Sequence, residues 1–350
     1  MTLGCFGLLT LTTAATTKEG NMGDAEVTDP IEAAKKMVSL LKTKNVDYIV
    51  CLGHIGVDRD LPVTSDLICS KVPGIDIFID GHSHIEMEDG KVVGGGIDLI
   101  PSDTLIASAG CYCKAFGILK VDKNGDMSAK LYRGEKKACA LIDDLVARIH
   151  EKVEKELGTV VCVTTIALDG EHSYVRNYET NLGDLVTDSM RISSGADICV
   201  INGGGVRASL EGGEITMADV YMVMPFQHDM VLMTVTGESI YDAMEYSYAY
   251  QGENFGGFLQ VSGMTVFYDI SKDAGSRIVM ITVDGEEMDP MGTYTVVTSD
   301  FVATGGDGFT SFVDYPRQNI GYDSITFGEY LKGLGTIDEW TIEEGRLISV

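Results

Sequence analysis

The stretch "IDIFIDGHSHIEMEDG", Ile75–Gly90, joins a continuous apolar run to a glycine and two histidines, His82 and His84. An uninterrupted apolar run is typical of a strand that is buried on both faces, as in a parallel sheet. Upstream, "VDYIVCLGH", Val46–His54, is a second run of this kind and also ends in a histidine. Between them, "DLICSKV", Asp66–Val72, predicts a short helix. The order strand, helix, strand predicts two parallel strands whose carboxyl ends point the same way.

Other parts of the chain show helix and strand patterns in alternation. "DPIEAAKKMVSLLKTKN", Asp29–Asn45, has apolar residues at helical spacing, and Asp29 and Pro30 suit its first turn. Further along, the patterns predict a hairpin turning at "KNGD" within Ala115–Arg133, an amphipathic helix at Cys139–Gly158, a helix at Asn181–Gly195 and a strand entering a glycine turn at Ala196–Gly205. This alternation predicts an α/β and α+β chain with two domains.

Composition limits the partners that the chain can have. Its 350 residues include 53 acidic and 26 basic side chains, which gives a net charge of -27. Such a chain repels nucleic acid and anionic membranes, so an anionic substrate needs local arginines or metal ions. No apolar run is long enough to span a bilayer. The opening "MTLGCFGLLTLTTAATTKEG" lacks a basic n-region, so we interpret it as a buried strand and a polar loop rather than as a signal peptide.

The eight cysteines do not define a disulfide framework in a chain of this length. Cys111 and Cys113 are spaced C-x-C in a strand-like run, which predicts that their side chains point to opposite faces. The cysteines that lie in or beside apolar stretches, and that we expect to be buried, are Cys51, Cys69, Cys139, Cys162 and Cys199.

Three of the six histidines follow the two predicted parallel strands, and they form a candidate metal site. His54 ends one strand, and His82 and His84 follow the other. Ligand sites of open α/β sheets lie beyond the carboxyl ends of their strands, and a neutral imidazole is a common metal ligand. From the residues alone, a metal site and a structural role for these histidines both remain open. No G-x-S-x-G motif accompanies them, which argues against nucleophilic catalysis.

Several blocks of the sequence resemble one enzyme family. "CLGHIGVDRD" and "DIFIDGHSH" are similar to the last two metal-binding blocks of the 5'-nucleotidase / UDP-sugar hydrolase family of calcineurin-like metallophosphoesterases. The blocks that resemble the C-terminal domain of that family, in order, are "YETNLGDLVTDSM", "INGGGVRASLEGGEIT", "VMPFQHD", "GGFLQVSGMTVFYD" and "FVATGGDGF". The resemblance covers nearly the whole chain.

The resemblance implies the fold and the chemistry of a 5'-nucleotide phosphohydrolase. It implies part of a four-layer αββα phosphoesterase sandwich at residues 1–135, a connecting helix at 136–160 and a C-terminal α/β domain at 161–350, which holds the nucleoside and swings it to the metals. By resemblance, His54, His82 and His84 ligate divalent metal ions such as Zn, Mn, Mg, Ca or Co. Two such ions in the family activate a water and clamp the phosphate oxygens. It also implies a periplasmic, cell-surface or secreted location.

The substrate-binding residues implied by the resemblance lie in the C-terminal domain. Phe258 and Phe301 match the aromatic pair that sandwiches the nucleobase, and such stacking is worth about 1–3 kcal/mol per base. Asp307 in "GGDG" matches the carboxylate that binds the ribose hydroxyls. Asn202, Gly204 and Arg207 of "NGGGVR", together with Arg176, match further substrate contacts, where an arginine can donate a charge-assisted fork. His228 stands where the family often has asparagine, and its role remains open.

The departures from the family pattern lead to two hypotheses. The opening blocks of the phosphoesterase domain, with D-x-H, G-D and G-N-H-E, have no counterpart here, so the catalytic histidine and the bridging aspartate are absent. We therefore expect at most one bound metal, exposed sheet edges and core, and low activity of the chain alone. One hypothesis is a nucleotide phosphohydrolase that requires a missing N-terminal half. The other is a non-catalytic nucleoside-binding module. A homodimer is a further expected partner.

Overall fold

The computed structural model describes residues 1–14, 17, 21–58, 61–134 and 139–350. The chain divides into two compact units, Met1–Ala138 and Cys139–Val350. The helix expected as a connector at 136–160 lies within the second unit. Among the described residues, no helix combines the length and the apolar character needed to cross a membrane.

The first unit is built mainly of strands. Its elements are β1 (Leu3–Leu9), a 3₁₀ turn (Leu11–Ala14), α1 (Pro30–Lys42), β2 (Tyr48–His54), α2 (Ser65–Lys71), β3 (Ile77–Ile79), β4 (Glu86–Glu88), β5 (Lys91–Val92), β6 (Leu105–Ala109), β7 (Phe116–Val121) and β8 (Met127–Tyr132). The predicted cap of α1 is confirmed, because the Asp29 carboxylate accepts the backbone N–H groups of Ile31 and Glu32 and Pro30 begins the helix. The predicted hairpin is also confirmed as the antiparallel pair of β7 and β8.

A six-stranded sheet in the order β1-β2-β3-β6-β4-β5 forms the body of this unit. Strands β1, β2, β3 and β6 are parallel, as the strand–helix–strand spacing predicts. Their carboxyl ends therefore lie along one edge, where Leu9 pairs with His54 in register. Strand β3 ends at Ile79, so His82 lies in the loop that follows it.

One face of this sheet carries several apolar residues that are open to solvent. Outward-facing residues of three neighbouring strands are exposed: Leu3 and Leu9 on β1, Leu52 on β2 and Ile79 on β3. Leu52 and Ile79 are 51% and 39% exposed and pair directly across the sheet. The opposite face is covered by α1 and α2, with Phe6, Ile49 and Phe78 in the core. The strand expected to be buried at the N-terminus is therefore buried on one face only, with alternating exposed and buried residues.

The second unit contains three sheets and most of the helices. Its helices are α3 (Ala140–Leu157), α4 (His172–Val175), α5 (Asn181–Ser194), α6 (Met217–Val223), α7 (Gly237–Ala249), α8 (Asp300–Ala303) and α9 (Asp323–Leu334), with 3₁₀ turns at Gly203–Gly205 and Gly306–Gly308. Its strands are β9 (Val160–Thr164), β10 (Ile198–Asn202), β11 (Gly213–Thr216), β12 (Asp229–Thr236), β13 (Leu259–Ser262), β14 (Thr265–Tyr268), β15 (Ile278–Val283), β16 (Glu286–Glu287), β17 (Thr293–Ser299), β18 (Gln318–Tyr322), β19 (Thr336–Ile337) and β20 (Leu347–Ser349).

A five-stranded sheet in the order β13-β10-β17-β12-β18 stands at the centre of this unit. Successive residues of β10 enter different cores: Cys199 and Ile201 pack on one face with α5 and α9, and Ile198 and Val200 pack on the other with α7. The sheet is thus covered on both faces, which accounts for the continuous apolar run in its sequence. Gly195 ends α5 in the left-handed conformation, as expected for a glycine just past a helix.

Five strand ends meet at one edge of this central sheet. Strands β10 and β17 are parallel, so Asn202 and Ser299 lie at the same edge. Strand β12 is antiparallel to β17 and begins there, since Met230 pairs with Ser299. Strand β13 also begins there, since Leu259 pairs with Asn202. Strand β18 ends there, opposite Asp229. The loops leaving this edge hold the polar residues considered below.

A buried ionic cluster ties the last strand to helix α5. The Glu179 carboxylate accepts the backbone N–H groups of Gly345, Arg346 and Leu347 at 2.6–2.9 Å. The Arg346 guanidinium lies 2.7 Å from Asp188 and 3.6 Å from Asp184. Burial raises the pKa of Asp184 to about 9, an effect that Arg346 opposes and the adjacent Glu179 strengthens.

The cysteine predictions were confirmed in part. The chain has buried thiols at Cys51, Cys69, Cys162 and Cys199, whereas Cys139, which precedes α3, is exposed. The C-x-C pair is not in a strand. Tyr112 and Cys113 have left-handed φ values of 57° and 55°, so the segment turns after β6 instead of alternating between two faces.

Candidate functional site

The carboxyl edge of the first sheet brings two of the three predicted histidines together. The Nδ1 atom of His82 lies 3.3 Å from the Nε2 atom of His54, and the ring centroids are 5.0 Å apart. His54 is held at the end of β2, whereas His82 lies in the loop after β3 with a left-handed φ of 76°. A non-glycine residue in this conformation is uncommon and is found more often at functional sites. The left-handed φ places the sharp turn at His82 itself, and not at the preceding glycine.

The third predicted ligand, His84, is placed differently. Its ring packs against Tyr112 with a centroid separation of 5.6 Å, and its own φ is 57°. Within the ranges that the structure describes, no group of three or more His, Cys, Asp or Glu side chains is arranged to hold a metal ion. The expected cluster of three histidines is therefore a pair in this structure.

A buried aspartate that was not singled out in the sequence organises the same edge. The Asp80 carboxylate accepts the backbone N–H groups of Ile55, Gly56 and Gly81 at 2.9–3.1 Å. These bonds fix the loop after His54 to the loop that carries His82. The signal for this role is the aspartate that directly precedes "GHSH" in the sequence.

The two histidines fit half of a metal site. Two nitrogen ligands on one tetrahedral Zn²⁺ lie about 3.3–3.4 Å apart when each Zn–N bond is about 2.0–2.1 Å, which equals the separation of His54 and His82. A neutral imidazole suits zinc, and also the other first-row divalent ions. Because a catalytic zinc has three protein ligands, this pair alone supplies an incomplete site.

Asp307 lies at the carboxyl edge of the central sheet of the second unit. Its carboxylate accepts a hydrogen bond of 2.9 Å from the side-chain amide of Asn202, at the end of β10. Burial raises the pKa of Asp307, while the bond from Asn202 and the charges of Arg176 and His228 act in the opposite direction. A half-buried carboxylate with one lone pair occupied can still accept further hydrogen bonds from hydroxyl groups.

The "GGDG" turn holds Asp307 in a left-handed conformation, with φ of 53°. The Tyr246 hydroxyl donates to the Asp307 carbonyl at 3.0 Å. Gly308 must lack a side chain, because a Cβ there would lie 2.1 Å from the Tyr246 hydroxyl oxygen and its φ is 93°. The glycines flanking Asp307 thus allow the close packing that orients its carboxylate.

The glycine turn after β10 lies beside Asp307. The backbone N–H of Gly204 donates to the carbonyl of Gly256 at 2.7 Å, so the two chain segments lie in close contact. A side chain built on Gly256 would meet both the Arg176 guanidinium and the Asp307 carboxylate at 3.7 Å, which places these two charged groups around one point. Arg207 follows the turn, with its guanidinium 5.8 Å from the centre of the Phe226 ring.

Three aromatic rings line the same edge. The imidazole centroid of His228 lies 5.6 Å from that of Phe226 and 5.6 Å from that of Phe301. Phe226 was not singled out in the sequence, yet it is 54% exposed although its ring is large and apolar. The available signal was its position in "VMPFQHD", directly before the strand that begins at this edge.

The expected stacking role of Phe258 conflicts with its position. Its side chain is 1% exposed and packs in the core, with its ring centroid 5.3 Å from Tyr248. A ring enclosed in this way offers no face to a base. Phe301 is also mostly covered, but its ring borders His228 at the sheet edge. Phe226, whose ring also borders the imidazole of His228, is an exposed aromatic ring at this edge.

Comparison with known proteins agrees with this arrangement of loops on a central sheet. Residues 160–314 match the family described as "5'-nucleotidase, C-terminal domain". The crystal structure of a 5'-nucleotidase precursor from Thermus thermophilus is 31% identical to the chain, with a TM-score of 0.81, covering 99% of this chain and 72% of that one. The chain belongs to the 5'-nucleotidase family. The expected α/β fold, with part of a phosphoesterase domain and a 5'-nucleotidase C-terminal domain, is thereby confirmed.

The chain matches only part of two curated relatives. It is 31% identical to the "Trifunctional nucleotide phosphoesterase protein YfkN" of Bacillus subtilis, over 94% of this chain and 23% of that protein. It is 27% identical to a "Snake venom 5'-nucleotidase" of Crotalus adamanteus, over 98% of this chain and 64% of that protein. The chain thus spans less than two thirds of the length of these relatives.

Proposed function

We propose that this protein takes part in the metal-dependent hydrolysis of 5'-nucleotides to nucleosides and phosphate. The observation that carries the proposal is the group of side chains around Asp307. A carboxylate held by Asn202 and flanked by Arg176 suits ribose hydroxyls, and the nearby aromatic rings suit a base. Similarity to a 5'-nucleotidase precursor and to a nucleotide phosphoesterase supports the same reaction class.

In this proposal each residue has a defined contact with the nucleotide. Asp307 accepts hydrogen bonds from the ribose hydroxyls. Phe301 and Phe226 contact the faces of the base, and Phe226 replaces the initially expected Phe258. Arg207 and Arg176 offset the negative charge of the substrate in a chain whose net charge is -27. The glycine at position 204 allows the backbone to approach the ligand closely.

The metal half-site belongs to the same proposal. His54 and His82 would hold a divalent ion, with His84 as a further expected ligand from the loop after β3. A bound ion would polarise a phosphate oxygen or lower the pKa of a bound water. Asp80 contributes by fixing the two loops through its backbone hydrogen bonds.

We infer that additional polypeptide completes the first unit. The exposed apolar face that includes Leu52 and Ile79 is unusual for a soluble protein, because such faces normally pack against another layer. A covering segment with its own metal-binding side chains would complete both the sandwich and the metal site. An extracellular or periplasmic location is part of the proposal, supported by the venom 5'-nucleotidases among the relatives.

Binding and turnover can be tested separately. Equilibrium dialysis of the purified chain with 5'-AMP and adenosine measures binding. Arg207→Ala should weaken the binding of 5'-AMP about tenfold and the binding of adenosine less, because the guanidinium acts on the anionic part of the ligand. Arg148→Ala, on the exposed helix α3, is the matched control. Equal losses for both ligands would contradict the role given to Arg207.

Phosphate release from 5'-AMP with Mn²⁺ or Zn²⁺ tests turnover. The chain alone should remain near the blank, and activity should rise when it is mixed with the part of the Thermus protein that it does not match. His82→Ala should abolish that gain. Binding of adenosine without any gain in turnover would favour the second candidate function, a nucleoside-binding module, for which the incomplete pair of His54 and His82 is the supporting observation.

A further inference from the structure

His228 occupies a distinctive place at the edge of the central sheet. Its imidazole lies 5.6 Å from the ring of Phe226 and 5.6 Å from that of Phe301, tilted by 42° and 31° from them, and its side chain is 13% exposed. A base in contact with either phenyl ring would also meet the edge of this imidazole. Histidine, unlike phenylalanine, can recognise the hydrogen-bonding pattern of such a base.

The hydrogen bond at one ring nitrogen fixes the role of the other. The Nδ1 atom of His228 lies 3.1 Å from the Asp300 carboxylate at the start of α8. An ionised carboxylate only accepts hydrogen bonds, so Nδ1 carries the proton and donates. In the neutral imidazole, Nε2 then has a lone pair and acts as an acceptor. Among the described residues, Nε2 has no hydrogen-bond partner within the protein, so it remains able to bond a ligand.

Several charged groups face this imidazole from the surrounding elements. Besides Asp300, they include Asp307 of the "GGDG" turn and Asp323 at the start of α9. Burial raises the pKa of Asp323 to about 6, and the charge of His228 opposes that rise. Asp229 follows His228 in the chain, and the Arg207 guanidinium lies on the Phe226 ring.

We propose that His228 selects the base of the nucleoside through Nε2. When the imidazole is neutral, Nε2 accepts a hydrogen bond from the exocyclic amine of adenine or cytosine and repels the carbonyl oxygen of hypoxanthine or uracil. When a proton from solvent binds Nε2, the same atom becomes a donor, and the preference moves toward the carbonyl-bearing bases. The inference rests on the nucleoside site proposed above.

Adenosine and inosine form a matched ligand pair, since they differ by an amine in place of a carbonyl. Equilibrium dialysis with the full chain should give about tenfold tighter binding of adenosine near pH 8. This ratio should fall at least threefold near pH 5.5, across the range in which histidine changes charge. A ratio that stays constant between the two pH values would overturn the proposal.

Two variants separate this role from simple packing. In His228→Asn the amide offers both a donor and an acceptor, so the ratio should approach one at both pH values. In Asp300→Asn the ring remains but its tautomer is no longer fixed, so the ratio should fall while adenosine still binds. A wild-type ratio retained in both variants refutes the role of His228. Wild-type protein that binds neither nucleoside refutes the nucleoside site itself, which is a different result.

Discussion

Two sheet edges in this protein carry candidate site residues but differ in how complete their sites are. In the first unit, parallel strands deliver His54 and His82 to one edge, where the buried carboxylate of Asp80 is engaged by backbone N–H groups. In the second unit, five strand ends deliver side chains that bond to each other, with Asp307 held by Asn202. The first sheet leaves a face open, whereas the central sheet of the second is covered on both faces.

The difference shows that strand topology can place site residues without completing a site. Ligand recognition in the second unit depends on loops of one folded unit, so we expect it to function in this chain. The first edge offers two adjacent metal ligands, His54 and His82, and a complete metal site needs at least one further ligand. Four measurements test this contrast between the two sheet edges.

The largest effect is expected where a ring belongs to the core and not to the site. Phe258→Ala should lower the free energy of unfolding of the second unit by about 3–5 kcal/mol, because it leaves a cavity among buried residues. Phe226→Ala should leave that free energy nearly unchanged, because the side chain is exposed. It should weaken adenosine binding about tenfold, because the stacking contact with the base is lost. Urea unfolding and equilibrium dialysis measure the two quantities. If Phe258→Ala instead weakened adenosine binding and left the free energy of unfolding nearly unchanged, Phe258 would belong to the nucleoside site.

The next effect concerns the carboxylate of the second edge. Asp307→Gly should weaken adenosine binding about 100-fold, because the ribose hydroxyls lose a half-buried hydrogen-bond acceptor. Glycine suits the left-handed φ of 53° at this position, so the backbone should be retained. Dialysis with Asp314→Ala, an exposed aspartate, gives the control. If Asp307→Gly bound adenosine normally, the second edge would not be the ribose site.

A smaller effect is expected from the buried cluster beneath the second edge. The pKa of Asp184, about 9 when folded, lies above its usual value of about 3.9 when unfolded. The folded state therefore holds a proton that the unfolded state releases, and stability falls as pH rises from about 4 toward 9. Asp184→Asn stays neutral throughout. The stability of Asp184→Asn relative to wild type should rise by about 1.4 kcal/mol between about pH 5 and about pH 6.

Urea unfolding at the two pH values measures this difference. Asp143→Asn, on the exposed face of α3, should follow wild type at both. Parallel pH curves for wild type and Asp184→Asn would mean that the Asp184 carboxyl is ionised in the folded protein, balanced by Arg346.

The smallest effect is expected at the first edge. His82→Ala should weaken Zn²⁺ binding by about fivefold, since one of only two adjacent donors is lost from a weak site. The same substitution should leave adenosine affinity unchanged. Isothermal titration with Zn²⁺ tests the first statement and dialysis the second. If the wild type bound Zn²⁺ tightly and His82→Ala lowered that affinity by several orders of magnitude, the metal site at the first edge would already be complete.

Local patterns in the sequence predicted most of the elements. The cap of α1 at Asp29, the parallel pair of β2 and β3 and the left-handed Gly195 follow from spacing and side-chain chemistry within a few residues. The sequence also predicted that His54 and His82 would share an edge. The cap and the glycine depend on interactions within a few residues, and the shared edge follows from the strand–helix–strand order, which sets the direction of both strands.

Features that depend on long-range packing could not be predicted from the sequence. Phe226 and Phe258 both follow turn-forming residues, and only the folded sheet shows which ring is exposed. The bonds of Asp80 to Ile55 and Gly56 join segments about 25 residues apart, so local patterns do not reveal them. The turn at Tyr112 and Cys113 reverses the chain despite strand-forming residues, which shows tertiary context overriding local propensity.

The bonds from Glu179 to the backbone at Gly345–Leu347 have a practical consequence for work with this protein. Strand β20 pairs in parallel with β14, so these final residues help to build a sheet. Deletion from Gly345 onward would leave the Glu179 carboxylate without these donors and would remove β20 from its sheet, so any shortened form of the chain should keep these residues.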